Sequence, residues 1–301
     1  MRSANREEAG VAPRGLDAPV TSPDFASPHP PSAIGADVLD RERILDGLET
    51  RAVGRALHLY DQVASTNDVA MALADAGAPH GTAVVAEHQT QGRGRLGRAW
   101  ASPPGVGLWA SVVLRPAVPA AVASAMTLGG GVAAAEAIEA EAGIPVTLKW
   151  PNDVLLDGRK VAGILTELRA EDRMVAHLVM GIGMNVHQGP SEFPSELAGT
   201  ATSIRQATGR AVSRVRLLQR LFGRLEAWHQ RFVSEGPGIV VAAAAARMPM
   251  LGRRVVAVAG AERWEGTAAC LDVHGALVIE VAPGRTQRVV AAEVTLAGRD
   301  R

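Results

Sequence analysis

The stretch "GRGRLGRAW" at residues 92–100 constrains the fold most, because its glycines fit the pattern G-x-G-x-x-G and so test directly for a dinucleotide-binding sheet. That fold needs a helix immediately after the last glycine and an acidic residue about twenty positions further on. Here Pro103 and Pro104 prevent a regular helix, and no Asp or Glu lies between Glu87 and Glu136. The sequence therefore excludes a dinucleotide fold.

The same stretch is typical of a loop that binds an anion. Glycines let the backbone approach a ligand closely, and the guanidinium groups of Arg93, Arg95 and Arg98 bind phosphate or carboxylate oxygens in pairs. An oligophosphate is the ligand that this combination favours, and a solvated basic loop is the alternative. Trp100 suits either a hydrophobic core or a stacking contact with a purine ring.

Charge and cysteine content limit the classes of partner and compartment. The 31 basic and 31 acidic side chains cancel, so no overall field attracts DNA or an anionic membrane surface. The single cysteine, Cys270, excludes an intramolecular disulfide framework, and the eight histidines are scattered without metal-binding spacing. No secretory signal or membrane-spanning run is visible, which predicts a soluble, cytoplasmic protein without a protein-bound metal.

Composition changes along the chain divide it into three predicted parts. Residues 1–35 carry six prolines and little apolar surface, which predicts a disordered leader. Residues 36–248 combine strand and helix patterns, including a long amphipathic helix over 213–232. Residues 249–301 show four short strand patterns, the last over 288–298, which predict a small barrel.

A hairpin is predicted around Asp157 and Gly158, which lie between two apolar runs. A two-residue turn there implies three cross-strand pairs: Leu155 with Lys160, Asp153 with Ala162, and Asn152 with Gly163. Alternation along the strands then puts Asp153 and Lys160 on the same face. A plain strand-entry turn and a surface lysine are the alternatives that the pattern leaves open.

Five motifs occur in an order that resembles the biotin protein ligases, the biotin–[acetyl-CoA-carboxylase] synthetases. They are "STN" at 65–67, "EHQTQGRGRLGRAW" at 87–100, "LKWPNDV" at 148–154, "RKVAGILTE" at 159–167 and "GIGMNV" at 181–186. The resemblance covers about residues 45–301. It implies an α+β fold: a catalytic domain similar to the class II aminoacyl-tRNA synthetase core, with a mixed and mainly antiparallel sheet, and a small C-terminal SH3-like β-barrel.

The resemblance implies a ligase that uses biotin and MgATP. Biotinyl-5′-adenylate forms first, and biotin then passes to a lysine of a biotin carboxyl carrier protein or domain of an acetyl-CoA, acyl-CoA or pyruvate carboxylase. The implied catalytic residues are Arg93, Arg95, Lys160 and Asp153. The cations would stabilise charge around the α-phosphate, and Asp153 would assist loss of the acceptor amine's proton.

The resemblance also assigns binding residues. Those expected at biotin are Ser65, Thr66, Asn67, Gln89, Arg93, Lys160 and Gly163. Those expected at ATP are Arg95, Arg98, Trp100, Asn152 and Asn185. The glycine-rich loop is expected to be mobile without ligand and to order over it. A capped helix is the structural alternative for the "STN" residues Ser65 and Thr66.

Three other functions stay open at this point. A lipoate or octanoate ligase or transferase is thought to share the catalytic fold, and a binding module would keep the site without turnover. A DNA-binding repressor is disfavoured, because only the leader and one short helix precede the catalytic motifs. The expected type is therefore the ligase without an N-terminal DNA-binding domain.

Overall fold

The computed structural model of the chain describes residues 37–297. The predicted disordered leader over residues 1–35 lies outside the described residues. Within them the elements form one seven-stranded sheet flanked by helices, followed by a five-stranded sheet.

The seven-stranded sheet is mixed and mainly antiparallel, as predicted. Its strands are β1 (Leu57–Val63), β2 (Ala83–Gln89), β3 (Gly107–Leu114), β4 (Thr147–Lys149), β5 (Asp153–Leu156), β6 (Arg159–Glu171) and β7 (Met174–Asn185). They lie in the order β1-β2-β3-β7-β6-β5-β4, with β1 and β2 parallel and the other neighbours antiparallel. Strand β3 is buried throughout, which explains its continuous apolar run.

Helices cover both faces of this sheet. They are α1 (Arg41–Asp46), α2 (Thr66–Asp75), α3 (Ser124–Ala142), α4 (Ile204–Thr208), α5 (Arg214–Glu235) and α6 (Pro237–Ala245). Helices α3, α5 and α6 pack together in the main core, whereas α2 packs on β2, β3 and β7 through a separate small cluster. The predicted helix over 213–232 is confirmed by α5.

Helix α3 is continuous through its three consecutive glycines, residues 129–131. A methyl group on Gly130 would lie 2.6 Å from Met180 Sδ on β7. These glycines therefore let the helix approach the sheet closely.

The β5–β6 hairpin forms at the predicted turn, with Asp157 and Gly158 at φ values of 49° and 74°. Leu155 pairs with Lys160 as predicted. The other two predicted pairs are wrong by one residue: Asp153 lies opposite Gly163, Val154 opposite Ala162, and Asn152 bonds to Ile164. The physical reason is a β-bulge between Val154 and Leu155, which leaves one extra residue on β6.

The five-stranded sheet is antiparallel and has an SH3-like arrangement. Its strands are β8 (Arg254–Ala259), β9 (Glu262–Leu271), β10 (Leu277–Ala282), β11 (Arg285–Val289) and β12 (Glu293–Leu296), in the order β11-β10-β9-β8-β12. The single strand predicted over 288–298 is two strands, because the chain turns between β11 and β12 and returns to β8. The boundary at residue 248 stays a prediction.

Two hydrogen bonds attach the turn between β9 and β10 to the rest of the fold. The Trp150 indole nitrogen donates to the Gly275 carbonyl at 2.9 Å, and the Ser124 hydroxyl donates to the His274 carbonyl at 3.0 Å. Trp150 is 1% exposed, so the C-terminal sheet contacts the core directly beside the "KWPND" motif. None of the helices within residues 37–297 is long and apolar enough to cross a membrane.

Candidate functional site

One cavity of about 520 Å³ brings together every residue that the sequence analysis assigned to the site. A volume of this size holds a ligand of small-molecule dimensions. The predicted residues that line it are Ser65, Thr66, Asn67, Gln89, Arg93, Arg95, Arg98, Trp100, Asn152, Asp153, Lys160, Gly163 and Asn185. They come from the start of α2, the end of β2, the loop after it, and strands β5, β6 and β7.

The start of α2 presents a free hydroxyl. Ser65 occupies the N-cap position, yet its side chain makes no capping hydrogen bond. Helix capping therefore does not account for this serine, which is 2% exposed and lines the cavity. Its hydroxyl can both donate to and accept from a ligand.

Gln89 has a fixed orientation at the end of β2. Its side-chain oxygen accepts from the Thr66 backbone N–H at 2.9 Å, and the Thr66 hydroxyl oxygen lies 3.0 Å from it. Its Nε2 donates to the Ser102 hydroxyl at 2.9 Å. An amide nitrogen carries two N–H groups, so one donor of Gln89 remains available to a ligand.

The stretch 92–100, here called the arginine loop, is a small hairpin held by backbone bonds. Trp100 N–H donates to the Gly92 carbonyl at 2.8 Å, and Gly94 N–H donates to the Arg98 carbonyl at 2.7 Å. Side chains are excluded at Gly92, where a methyl group would lie 2.4 Å from the Trp100 carbonyl oxygen. Leu96 at the tip has a φ of 58° and is 70% exposed. Ordering of the loop by ligand stays a prediction.

Two arginines of the loop are paired with carboxylates. Arg93 lies 2.5 Å from Asp68 and 3.2 Å from Glu167, and Arg98 pairs with Glu293 of β12. These side chains are substantially exposed, so each pair contributes little to stability. The carboxylates nevertheless neutralise much of the charge that either arginine could offer to an anion.

Arg95 and Lys149 are the cavity cations that have no carboxylate within ion-pair distance in the described part of the chain. Arg95 donates to the Asn152 side-chain oxygen at 3.2 Å. Burial lowers the pKa of the Arg95 guanidinium, while nearby Asp153 acts to raise it and Arg98 to lower it. A partly desolvated cation of this kind interacts strongly with a phosphate.

Lys160 and Asp153 form an ion pair on the cavity face of the hairpin. Their nitrogen and oxygen atoms are 2.6 Å apart, and their side chains are 32% and 22% exposed. The prediction that they share a face is confirmed. The bulge shifts the strand register without moving either side chain off the cavity face.

Trp100 lies on the backbone of β6 and β7. A methyl group added to Gly183 would lie 2.6 Å from the indole, and one added to Gly163 would lie 3.0 Å from it. The Lys160 ammonium is 5.1 Å from the ring centroid, within cation–π range. The space over Gly163, a residue expected at biotin, therefore contains the indole, whose buried nitrogen has no hydrogen-bond partner among residues 37–297.

The two predicted asparagines hold neighbouring segments. Asn152 donates to the Ile164 carbonyl at 2.9 Å while its oxygen accepts from Arg95. Asn185 is 5% exposed, donates to the Thr202 carbonyl at 3.1 Å and accepts from Gln188 at 3.2 Å. The amide of Asn185 thus supports the segment after β7 in addition to lining the cavity.

Several cavity-lining residues were missed by the sequence analysis. Lys149 had a signal, because the proline-containing turn in "LKWPNDV" brings it opposite Asp153, and the two pair across β4 and β5. Strand β12 contributes Glu293 and Thr295, which no local pattern connects to the site. Within residues 37–297, no set of three or more His, Cys, Asp and Glu side chains converges to hold a metal.

Comparison with known proteins identifies the family. Residues 59–185 match the family model described as the biotin/lipoate A/B protein ligase family. The chain is 34% identical over 271 residues to the biotin–[acetyl-CoA-carboxylase] ligase of Mycobacterium tuberculosis, covering 85% of this chain and 98% of that protein. It is 42% identical over 198 residues to the bifunctional ligase/repressor BirA of Bacillus subtilis, covering 66% of this chain and 61% of that protein's length.

Solved structures give the same result. The biotin protein ligase of Aquifex aeolicus, in complex with biotin and ATP, superposes with a TM-score of 0.69 at 30% identity. The match covers 81% of this chain and 100% of that chain. The Leishmania major ligase in complex with biotinyl-5-AMP gives a TM-score of 0.54 at 26% identity, covering 79% and 99%. This chain belongs to the biotin/lipoate A/B protein ligase family.

Proposed function

We propose that the chain is an ATP-dependent biotin protein ligase, which makes biotinyl-5′-adenylate and transfers biotin to a lysine of a biotin carboxyl carrier protein. The observation that carries the proposal is the combination of two kinds of group in one cavity. Fixed amide and hydroxyl groups lie at the start of α2, and the cations Arg95 and Lys149 lack carboxylate partners within residues 37–297. Family membership supports the same reaction.

The amide and hydroxyl groups suit the ureido ring of biotin. That ring has two N–H donors and one carbonyl acceptor, so its binding site needs both acceptors and donors. The Ser65 hydroxyl can accept, and the remaining N–H of Gln89 can donate. Both side chains are held by surrounding bonds or burial, which limits the entropy lost when the ligand binds.

The first reaction joins the biotin carboxylate to ATP. A carboxylate oxygen attacks the α-phosphorus, the bond from that phosphorus to the bridging oxygen breaks, and pyrophosphate leaves. The attacking carboxylate is already ionised at neutral pH, so this step needs positive charge rather than a base. Arg95, Lys149 and Lys160 are the cavity residues proposed to supply it.

The second reaction forms an amide with the carrier lysine. Its neutral amine attacks the acyl carbon, the bond to the AMP oxygen breaks, and the amine loses a proton. Asp153 is proposed to accept that proton after its ion pair with Lys160 opens. Positioning of the amine against the bound adenylate supplies a further part of the rate.

Mg²⁺ is proposed to enter with ATP. The cavity carboxylates among the described residues are Asp153 and Glu293, and each is paired with a cation. Such a donor set fits a cation held mainly by phosphate oxygens and water, as Mg²⁺ often is in nucleotide sites. We also infer a cytoplasmic location, on the basis of the single cysteine.

The test is ATP–pyrophosphate exchange by the purified protein with Mg²⁺, in separate reactions with biotin, lipoate, octanoate and no acid. Exchange with biotin alone is expected. Transfer is then followed by mass spectrometry of a carrier domain from a biotin-dependent carboxylase, which should gain one biotin. Exchange with lipoate or octanoate instead would assign the lipoyl branch of the family, and binding of biotin without exchange or transfer would indicate a binding module.

A further inference from the structure

We infer that Glu167 is a positioning residue, which orients the Asn67 amide and connects it to the arginine loop through Arg93. The inference rests on the proposed function, because its measurable consequence is the binding of biotin. Glu167 lies on β6, the strand that also carries Lys160 and Gly163. It does not line the cavity, so it acts through its neighbours.

The carboxylate of Glu167 contacts two side chains of the site. Its Oε2 accepts from Asn67 Nδ2 at 2.6 Å. The same oxygen lies 3.2 Å from Arg93 Nη2, and Oε1 lies 3.3 Å from that nitrogen. One carboxylate therefore joins the start of α2 to the arginine loop.

Glu167, together with the Leu165 carbonyl 3.4 Å from Asn67 Nδ2, determines which way the Asn67 amide faces. A carboxylate accepts hydrogen bonds and cannot donate them, so it holds the NH₂ side of the amide toward β6. The Asn67 carbonyl oxygen then accepts from the Ser111 hydroxyl at 2.7 Å. Asn67 is 4% exposed, so a reversed amide would turn its buried oxygen toward the oxygens of Glu167 and Leu165, which cannot donate to it.

The orientation passes from Asn67 to the groups that face the ligand. Ser111 has one hydroxyl hydrogen, which goes to Asn67, so Thr66 donates in the 2.8 Å contact between Thr66 Oγ1 and Ser111 Oγ, and the Thr66 backbone N–H donates to Gln89 at 2.9 Å. The last hydroxyl in the series, Ser102, lies 3.1 Å from the Trp100 carbonyl. The hydrogen-bonded series thus starts and ends on the arginine loop, and it runs through Glu167, Asn67, Ser111, Thr66, Gln89 and Ser102.

The two contacts of Glu167 differ in strength. The Asn67 bond joins a buried amide to a charged acceptor, which is the stronger class of hydrogen bond. The Arg93 contact is longer, its side chain is 42% exposed, and Arg93 also pairs with Asp68. Loss of the Asn67 contact should therefore dominate the effect on biotin binding, and loss of the Arg93 contact should act on the loop.

The experiment is calorimetric titration of the full chain with biotin in the absence of ATP. Glu167→Ala removes the closer, charged acceptor and leaves only the Leu165 carbonyl at 3.4 Å, and it is expected to raise the dissociation constant at least tenfold. Glu167→Gln keeps an oxygen that can accept from Asn67, and is expected to stay within threefold of wild type. Asp68→Asn, which disturbs Arg93 alone, and Glu171→Gln on the same strand serve as matched controls that should also stay within threefold.

The outcomes separate this inference from the proposed function. Wild-type protein that fails to bind biotin would contradict the proposed function. Wild-type binding with an unchanged dissociation constant in Glu167→Ala would overturn the inference, as would equal losses in Glu167→Ala and Glu167→Gln with both proteins folded by thermal melting. Trypsin cleavage at Arg93 tests the second contact: the double variant Asp68→Asn/Glu167→Gln should be cut faster than wild type, and an equal rate would exclude the connection to the loop.

Discussion

The Lys160 ammonium nitrogen lies 2.6 Å from an oxygen of Asp153, in the same cavity as Lys149, which has no ion-pair partner in the described part of the chain. Because the carboxylate is neutralised by Lys160, a phosphate that draws Lys160 away would release Asp153 at the same time. The pair could thereby link the two proposed reactions, since the cation serves the first and the freed carboxylate serves the second.

Substitution of the two partners should separate these reactions. Lys160→Ala is expected to lower the rate of biotin-dependent ATP–pyrophosphate exchange by about 10²–10³, the usual cost of losing one group that stabilises transition-state charge. Asp153→Asn should lower transfer from preformed biotinyl-5′-adenylate more than it lowers exchange. Arg159→Ala, the β6 neighbour that does not line the cavity, is the control and should leave both rates close to wild type. Equal losses of exchange and transfer in Asp153→Asn would argue against its role as base.

Methyl groups added to β7 should affect different parts of the site. At Gly181 the new carbon would lie 2.1 Å from the Asn67 side-chain oxygen, and at Gly183 it would lie 2.6 Å from the Trp100 ring. Gly181→Ala should therefore raise the KM for biotin, and Gly183→Ala should displace the indole and change its fluorescence. Gly199 lines the same cavity and has open space where a methyl group would lie. Gly199→Ala is therefore the control and should leave both properties unchanged. Wild-type kinetics in Gly181→Ala would show that Asn67 is free to move.

Glu226 on α5 should be a stability residue without a catalytic role. Its carboxylate accepts from the backbone N–H groups of Arg51, Ala52 and Val53 at 2.8, 2.7 and 3.0 Å. Glu226→Ala leaves these donors without their acceptor and is expected to lower the free energy of unfolding by about 2–3 kcal/mol. Urea denaturation measures the loss, and kcat below the melting transition should be unchanged. A fall in kcat with unchanged stability would contradict this assignment.

The same carboxylate should make stability depend on acidity. Burial acts to raise the pKa of Glu226, but the three backbone hydrogen bonds outweigh it and hold the pKa below its ordinary value of 4.5. The stabilisation is therefore present above about pH 4.5 and is lost as the pH falls through the lower folded-state pKa. In urea denaturation at several pH values, Glu226→Ala should weaken the fall of the unfolding free energy in acid. An unchanged fall would assign this pH dependence to other groups.

His229 should give a second pH dependence at milder acidity. Its ring lies against that of His80 with centroids 4.4 Å apart and an interplanar angle of 36°, and its buried Nε2 has no partner among residues 37–297. Burial lowers the pKa of His229 from 6.5 to about 4. A charge on His80 acts in the same direction, and the Glu226 carboxylate acts in the opposite direction. The unfolded chain therefore binds a proton first as the pH falls below 6.5, and stability declines toward pH 4 by on the order of 2 kcal/mol. His229→Gln should reduce the difference between unfolding free energies at pH 7.5 and 5, and an unchanged difference would refute the assignment.

The sequence predicts most of the site because its groups come in short local motifs. Asp157 and Gly158 define a turn that pairs Leu155 with Lys160, so Asp153 and Lys160 share a face, and the bulge lies beyond that pair. The bulge on β6 has no sequence signal, since an extra residue inside an apolar run leaves the alternation ambiguous. Ser111 does have a sequence signal, because a hydroxyl within the buried run "GLWASVVL" needs a hydrogen-bond partner.

Long-range pairings account for what the sequence could not show. Arg98 and Glu293 meet only because β12 returns to β8 beside the cavity. The sequence around either residue does not indicate that the other is its partner. Arg93 looked like a phosphate ligand by its position in the motif, but its carboxylate partners lie on α2 and β6. The paired or unpaired state of each cation depends on tertiary structure, and that state separates Arg95 from its neighbours in the loop.

The contact between Trp150 and Gly275 holds the C-terminal sheet beside the cavity, which its strand β12 lines. A fragment ending at residue 248 would lose the acceptor for a buried indole N–H, the partner of Arg98 and one lining strand together. The cavity of this fragment would be open to water on the side that β12 covers. Substitutions of the β12 residues that line the cavity, Glu293 and Thr295, are consequently expected to alter ligand binding, although neither residue lies in one of the five motifs.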